Sequence, residues 1–342
     1  MLLFTPTDPR YKRFLFAAHF GGTSSILLFR VSSTGTLTPL NPPSFSTNLI
    51  QSRNIAVDPL LQNVFVTTDQ GGSNTQRYTM DRSAGVLTQS TITGQGGGSS
   101  FAVVVDPQQR YFYATDTSGN RVISYAITNA SGTGISSPAT GANPAAIAAE
   151  NSGRFVYVGT NAGVDRFSVS ANGTLANVGT TGLAGAVSSL VVNPSGTVLY
   201  AVHAGTPTIA PFTINSDGTL TALGTTAIGT AGNYAVVTPD GRFLYCVRTA
   251  GDILMFSIAS NGTLSALSPS SIAVSSPVAM AMDPGGSFVH VTNATNIFTY
   301  SIGSDGGLTL VSQSVQSGMN LMGLTAPAFP EYFDPFTGKM VN

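Results

Sequence analysis

A unit of about 45 residues that recurs seven times, turn-forming dipeptides at fixed places within each unit, and the lack of any helical periodicity predict an all-β chain, a seven-bladed β-propeller with four antiparallel strands per blade. A proline or turn residue anchors the units at Pro9, Pro59, Pro107, Ser152, Pro194, Pro239 and Pro284, with gaps of 50, 48, 45, 42, 45 and 45 residues. That is the period of propeller blades and exceeds that of most helical solenoids. The expected blades are 1–45, 46–95, 96–141, 142–183, 184–227, 228–271 and 272–316 of one domain, followed by a closing strand and tail over 317–342.

Each blade is legible strand by strand. Strand a is a short Val/Ala run that stops at Asp-Pro, Asn-Pro or Pro-Asp-Gly, turn formers with no place in a central strand. Its small and β-branched residues suit seven strands crowded around one axis. Strand b is aromatic-rich, as in Arg242-Phe243-Leu244-Tyr245-Cys246-Val247, and fills the wider space between blades. Strand c carries recurring apolar residues, as over Ile253 to Ile258. An Asn-Gly or Asp-Gly turn then feeds strand d at Gly-Thr-Leu, a strong hairpin signal. After the seventh unit, Leu321-Met322-Gly323-Leu324-Thr325-Ala326-Pro327 reads as one more strand a. Pairing beside Leu2 to Pro6 would close the ring and leave no open edge. The aromatic tail of Phe329, Tyr332, Phe333 and Phe336 is expected on an outer or end surface.

Composition narrows the partners. The chain has 342 residues, 42% of them hydrophobic, and a mean hydropathy of +0.22, enough to bury a large core. Charged residues make up only 8%, against about 25% in ordinary soluble domains. Ser, Thr, Asn, Gln and Gly must therefore carry solubility. A net charge of −1 supplies no field for nucleic acid or anionic membrane, and no apolar run is long enough for a membrane span. The opening Met-Leu-Leu-Phe is too short for a signal-peptide core. A cytoplasmic protein and one whose leader has been removed both fit, the charge-poor surface favouring a periplasmic or secreted setting. The single cysteine, Cys246, sits in an apolar run as a small hydrophobe and excludes an intramolecular disulfide and haem attachment. No cofactor and no metal are expected.

The pattern Pro-Asp-Gly-Arg-Phe-Leu-Tyr, then Phe-Ser-Ile, then Asn-Gly-Thr-Leu resembles the seven-bladed lactonase family, which includes propeller-type 6-phosphogluconolactonases and fungal carboxymuconate-lactonising enzymes. The similarity covers roughly residues 1–316, and the repeats also resemble YVTN-type surface and periplasmic propellers. The lactonase resemblance implies a hydrolase for a sugar or organic-acid lactone. Of the residues it implies for catalysis, the histidine opening strand a of blade four is Ala145 here, and the Arg-His pair of blade five is Ser188-Ser189. His203 stands where a glutamate is usual, and the arginine after strand b of blade six is matched by Arg248.

The residues themselves suggest a ring at the end of strand b. Counting three on from the shared aromatic slot gives His19, Thr68, Asp116, Thr160, His203, Arg248 and Asn293, with Asp69 and Asn161 one further. His203 as base or water-positioner and Arg248 as anion or oxyanion clamp are the catalytic candidates. His19, Arg53 and Asp116 are the substrate-binding candidates, for a lactone or anion at one end of the central channel. The competing reading is plainer: Asp116, Asn161 and Asn293 complete b–c turns by side-chain to backbone bonds. A histidine ring of His19 and His203 with Asp116 could in principle take a metal, but blades one, three and five are not adjacent. His290 occupies the slot that holds Tyr in other blades and reads as packing. Gly94 to Gly98 opens no helix and so forms no phosphate loop. Asp217-Gly218 and Asp305-Gly306 have hairpin spacing, not that of a calcium loop, and the Asn-X-Ser/Thr triplets at Asn129, Asn172, Asn261 and Asn293 do not imply glycosylation, two of them being the hairpin turn itself. Two functional classes stay open: a lactonase-like hydrolase, and a non-catalytic propeller that binds a ligand or protein at a cell surface or in a periplasm.

Overall fold

The computed structural model describes residues 11–20, 24–47, 51–58, 60–68, 75–81, 86–93, 99–127, 133–316, 321–325, 328–330, 332–334 and 339–341. Seven antiparallel sheets follow one another along the chain with simple a-b-c-d order, so the molecule is a seven-bladed propeller. No helix is present among the described residues. None is therefore long and apolar enough to cross a membrane.

Strand b is the core of every blade. Asn63–Thr68, Tyr111–Asp116 and Val198–His203 are buried along their whole length, because a sheet packs on each face. The wide gap between blades is filled by rings: Phe65 of blade two stacks on Phe112 of blade three at 4.1 Å, and Phe112 on Tyr125 at 4.7 Å. Strand d faces outward and is mostly exposed, as over Leu175–Gly182, which explains how Thr, Ser and Asn replace charge there.

The Asn-Gly and Asp-Gly hairpins also join blades. In the c–d turns the side chains of Asn172, Asp217 and Asn261 accept the backbone N–H two residues on, at 3.1, 2.9 and 3.1 Å. The glycine that follows, Gly218 for example, has φ +79°, which only glycine adopts without strain. Its carbonyl accepts the hydroxyl of Tyr157 in the preceding blade at 2.9 Å. Tyr200 repeats this with Gly262 at 3.1 Å and Tyr245 with Gly306 at 2.8 Å. A Cβ on Gly218 would stand 2.7 Å from the Phe155 ring, so the glycine also permits the close approach.

Blade three departs from the four-strand pattern. Ser100–Val105, Tyr111–Asp116 and Arg121–Ala126 form a three-stranded sheet, and the outer place is held by bridges of Arg121 with Ala139 and Ser124 with Ser136. Pro138 has no N–H to extend a ladder there. In blade five the outer strand is broken into Leu220–Ala222 and Thr226–Ala227.

The ring closes on blade one, where Leu321–Thr325 supplies strand a and pairs with strand b, Tyr11–His19. Leu2 to Pro6, the pairing partner expected from sequence, lies outside the described residues. Ala328–Pro330 pairs with the start of the same strand b, and Tyr332–Asp334 forms a hairpin with Lys339–Val341. At the seam, Arg13 of blade one meets Asp283 of blade seven at 3.4 Å, both buried, and lies over Phe288 at 5.4 Å.

Candidate functional site

Strand a opens with one extra residue relative to strand b in four successive or nearby blades. Ser52 pairs with Thr68 but Ile55 with Val66, and Ser100 pairs with Asp116 but Val103 with Ala114. Val187 pairs with His203 but Ser189 with Val202, and Gly232 with Arg248 but Tyr234 with Val247. Such β-bulges re-aim side chains. The bulged residues Arg53, Asn54, Phe101, Ala102, Ser188 and Asn233 all line one cavity of about 350 Å³ on the propeller axis.

All seven inner strands or their leading residues contribute to the wall, down to Val278 of blade seven and Met322 of the closing strand. Most of it is apolar, lined by Val103, Ala145, Ala146, Ile147 and Leu190 among others. The polar groups are few. The Arg53 guanidinium is held between two rings, 4.8 Å from the centroid of Phe20 and 5.6 Å from that of Phe101. Across the channel, the Asn54 amide nitrogen of blade two donates to the Tyr234 hydroxyl of blade six at 3.1 Å, and Asn54 Oδ1 accepts the Ile55 N–H at 2.7 Å. Tyr234 thus accepts through its oxygen and keeps its proton to donate. Burial raises its pKa against a smaller opposing effect of Asn54, so the proton stays on near neutrality. The Ser188 hydroxyl donates into strand-end carbonyls, with Gly232 O at 2.7 Å, and Asn233 lies 3.4 Å from the Pro277 carbonyl.

The ring at the end of strand b is one strand further from the axis. Of the five residues singled out from sequence, Arg53 lines the cavity; His19, Asp116, His203 and Arg248 are not among its described lining residues. His203 is buried, its Nδ1 is 3.3 Å from the Ala184 carbonyl, and its Nε2 has neither solvent nor a hydrogen-bond partner. Burial lowers its pKa, partly offset by that backbone contact. Arg248 is bound by both carboxylate oxygens of Asp252, with Nε to Oδ1 at 2.8 Å, and donates to the Ile228 carbonyl. Asp116 accepts Gly119 N–H at 2.9 Å and pairs with Arg121 at 2.8 Å. His19 is half-buried opposite Ser25. Thr160 turns its hydroxyl to the Gly163 carbonyl at 3.2 Å, and Asn293 accepts two backbone N–H groups of its own turn. Asp69 and Gly94 to Gly98 lie outside the described residues. No group of three or more His, Cys, Asp or Glu side chains with metal-binding geometry occurs among the described residues. Cys246 is buried, and desolvation pushes its thiol up to about 12, leaving it unreactive.

Asn54, Asn233 and Tyr234 were not reached by counting along strand b. Their signal was present: a polar or aromatic doublet before the apolar run, as in Arg53-Asn54 before Ile55-Ala56-Val57 and Asn233-Tyr234 before Ala235-Val236-Val237.

Residues 225–322 match the family model described as lactonase, 7-bladed beta-propeller. The match covers less than a third of the chain. Among solved structures, the chain is similar to a 6-phosphogluconolactonase candidate from Bacteroides uniformis, with 17% identity over 93% of this chain and 99% of that one and a TM-score of 0.79. A second candidate of the same description from Bacteroides fragilis gives 16% identity, coverage of 94% and 98%, and a TM-score of 0.78. The periplasmic gluconolactonase of Pseudomonas aeruginosa gives 17%, 93% and 99%, and 0.75. These likenesses concern the fold. No curated protein matches this sequence.

Proposed function

We propose that the axial cavity binds a lactone or the hydroxy acid it opens to, and that Arg53 and Tyr234 are the groups that hold its carbonyl or carboxylate. The convergence of the bulged strand-a residues on one cavity carries this reading. A guanidinium has five N–H donors in a fixed fork, so Arg53 can serve a ligand oxygen as well as other acceptors. Tyr234, fixed by Asn54, directs its O–H without the freedom of an exposed tyrosine. Both are donors that suit a carbonyl oxygen gaining negative charge. The described lining residues include no histidine, carboxylate or thiol. The wall therefore supports binding and carbonyl polarisation, with water or hydroxide as the attacking group in any ring opening. The lactonase family match and the gluconolactonase named among the neighbours favour this ligand class over a protein partner.

The test is ligand-induced stabilisation with a lactone panel that includes glucono-δ-lactone and dihydrocoumarin. A ligand at one hundred times its Kd adds about 2.7 kcal/mol to stability, a readily measured rise in Tm. At least one lactone is expected to raise Tm in the wild type and to do so less in Arg53→Gln and Tyr234→Phe. No shift with any lactone, or equal shifts in all three proteins, sinks the proposal. Hydrolysis of the bound lactone, followed by pH-stat, separates binding from turnover.

A further inference from the structure

Resting on the reading of the cavity as a lactone site, we infer that the hydrogen bond between Asn54 and Tyr234 forms a bar across the axial channel. The bar confines the ligand to a bay on blades three, four and five, and Tyr234 thereby limits ligand size. Blades two and six are three steps apart in a ring of seven, the widest separation such a ring has, yet Asn54 and Tyr234 meet at 3.1 Å. Their neighbours at the same depth leave room for this. Asn54 and Tyr234 stand one residue before Ile55 and Ala235, which pair with Val66 and Cys246 of strand b. The residues in that position in the other blades are Ala102, Ala146, Ser189, Ala279 and Gly323, all small. One long side chain thus reaches through a ring of short ones.

Both ends of the bar are held. The Asn54 N–H donates to Thr67 Oγ1 at 3.0 Å and Asn54 Oδ1 accepts the Ile55 N–H at 2.7 Å, so the amide that donates to Tyr234 has a fixed direction. A Cβ on Gly323 would stand 3.0 Å from Asn54 Cα and from the Arg53 carbonyl oxygen, so this glycine lets the closing strand press against blade two. At the other end, the Tyr234 ring packs on the apolar cluster of blades six and seven that includes Val247 and Met280. The cavity has the shape that such a division predicts. Blades three, four and five each line it with three consecutive residues, 101–103, 145–147 and 188–190. Blades seven and one contribute one described residue each, Val278 and Met322, and neither Ala279 nor Gly323 one place deeper. The bar covers that second side. The cavity of about 350 Å³ is therefore lopsided, its deep wall formed by Ala102, Val103, Ala146, Ile147 and Leu190. That volume lies at the small end of ligand pockets and suits a body of one ring. A substituent directed at blades seven and one meets the Tyr234 ring, which its close packing keeps from yielding.

Two measurements on the full chain test this: titration calorimetry with δ-valerolactone and δ-decalactone, the same ring with a pentyl tail, and crystal structures of the wild type and Tyr234→Ala. The wild type is expected to favour the unsubstituted ring. In Tyr234→Ala the affinity ratio of δ-decalactone to δ-valerolactone should rise at least about tenfold, a change of about 1.4 kcal/mol. The cavity of that variant should extend to Ala279 and Gly323. Tyr234→Leu, which keeps an apolar side chain on the cluster of blades six and seven, serves if Tyr234→Ala does not fold. An unchanged ratio overturns the role given to Tyr234. So does a wild-type crystal structure in which Asn54 and Tyr234 stand apart, or in which the cavity already runs down blades seven and one. If neither lactone binds either protein while the crystal structures show the bar and its loss, the lactone reading of the cavity fails. The size limit on that ligand fails with it, and the division of the channel stands.

Discussion

His290 and His203 are both shut away from water, yet they contribute differently to the molecule. His290 sits where Tyr157, Tyr200 and Tyr245 stand in other blades, fully buried, with Nδ1 3.0 Å from Thr299 Oγ1 and Nε2 without a partner. Desolvation first, and the nearby Arg13 second, lower its pKa to about 3. An unfolded histidine titrates near 6.5. Between those values the unfolded chain binds the proton that the folded chain refuses, so this contribution is present above about pH 6.5 and is lost as pH falls toward 3. Asp283, whose carboxyl burial raises against the opposing Arg13, has the reverse slope. The readout is therefore the difference between two proteins. His290→Phe, which places in blade seven the side chain found at Phe16 and Phe65, is expected to lose less stability than the wild type between pH 6.5 and pH 4 in urea titrations. Parallel curves would show that the buried imidazole does not set the slope. His203, by contrast, has its Nδ1 beside the Ala184 carbonyl; its Cα partner is Val187, before the bulge, and it is not among the described lining residues of the cavity.

At the scale of the element, the c–d hairpin is the joint between blades. Tyr200→Phe removes the hydroxyl that Gly262 accepts and leaves a buried carbonyl short of a partner, at a cost of about 1 kcal/mol. Gly218→Ala must place a side chain at φ +79° and 2.7 Å from the Phe155 ring, so its cost is expected to be larger, about 1–3 kcal/mol. Urea unfolding of the two variants orders them. If Gly218→Ala proves no worse than Tyr200→Phe, the hairpin does not depend on the tight packing argued for it. The Asn-Gly and Asp-Gly signals were readable along the chain, whereas their hydrogen bonds to a tyrosine some sixty residues earlier were not. Local turn chemistry says that a hairpin forms, and only the curvature of the ring says which blade it lies against.

For the whole molecule, closure decides whether seven sheets become one body. Leu321 and Leu324 of the last inner strand are buried with Leu15, Phe29 and Phe288, joining blades one and seven in one apolar cluster. Truncation after Gln316 removes both leucines and leaves the inner edge of Tyr11–His19 unpaired. Losing two buried leucines costs about 2–5 kcal/mol each, comparable with the whole stability of a typical domain, about 5–15 kcal/mol. The truncated chain is expected to melt at lower temperature and to associate through its open edge, as size-exclusion chromatography and thermal melts would show. A monomer with unchanged Tm would mean that the closing strand is dispensable.

The sequence by itself determined the propeller, its seven units, the order of strands within a blade and the burial of Cys246, because these follow from period, turn residues and apolar pattern along a single strand. It also marked Arg53 as a candidate. Only the tertiary structure decided that Arg53 shares a cavity with Asn54 and Tyr234, and that His203 and Arg248 do not line it. The physical reason is the bulge at the start of strand a: one unpaired residue turns side chains toward the axis. Its effect depends on pairing with strand b and on the three blades that stand between Asn54 and Tyr234 along the chain.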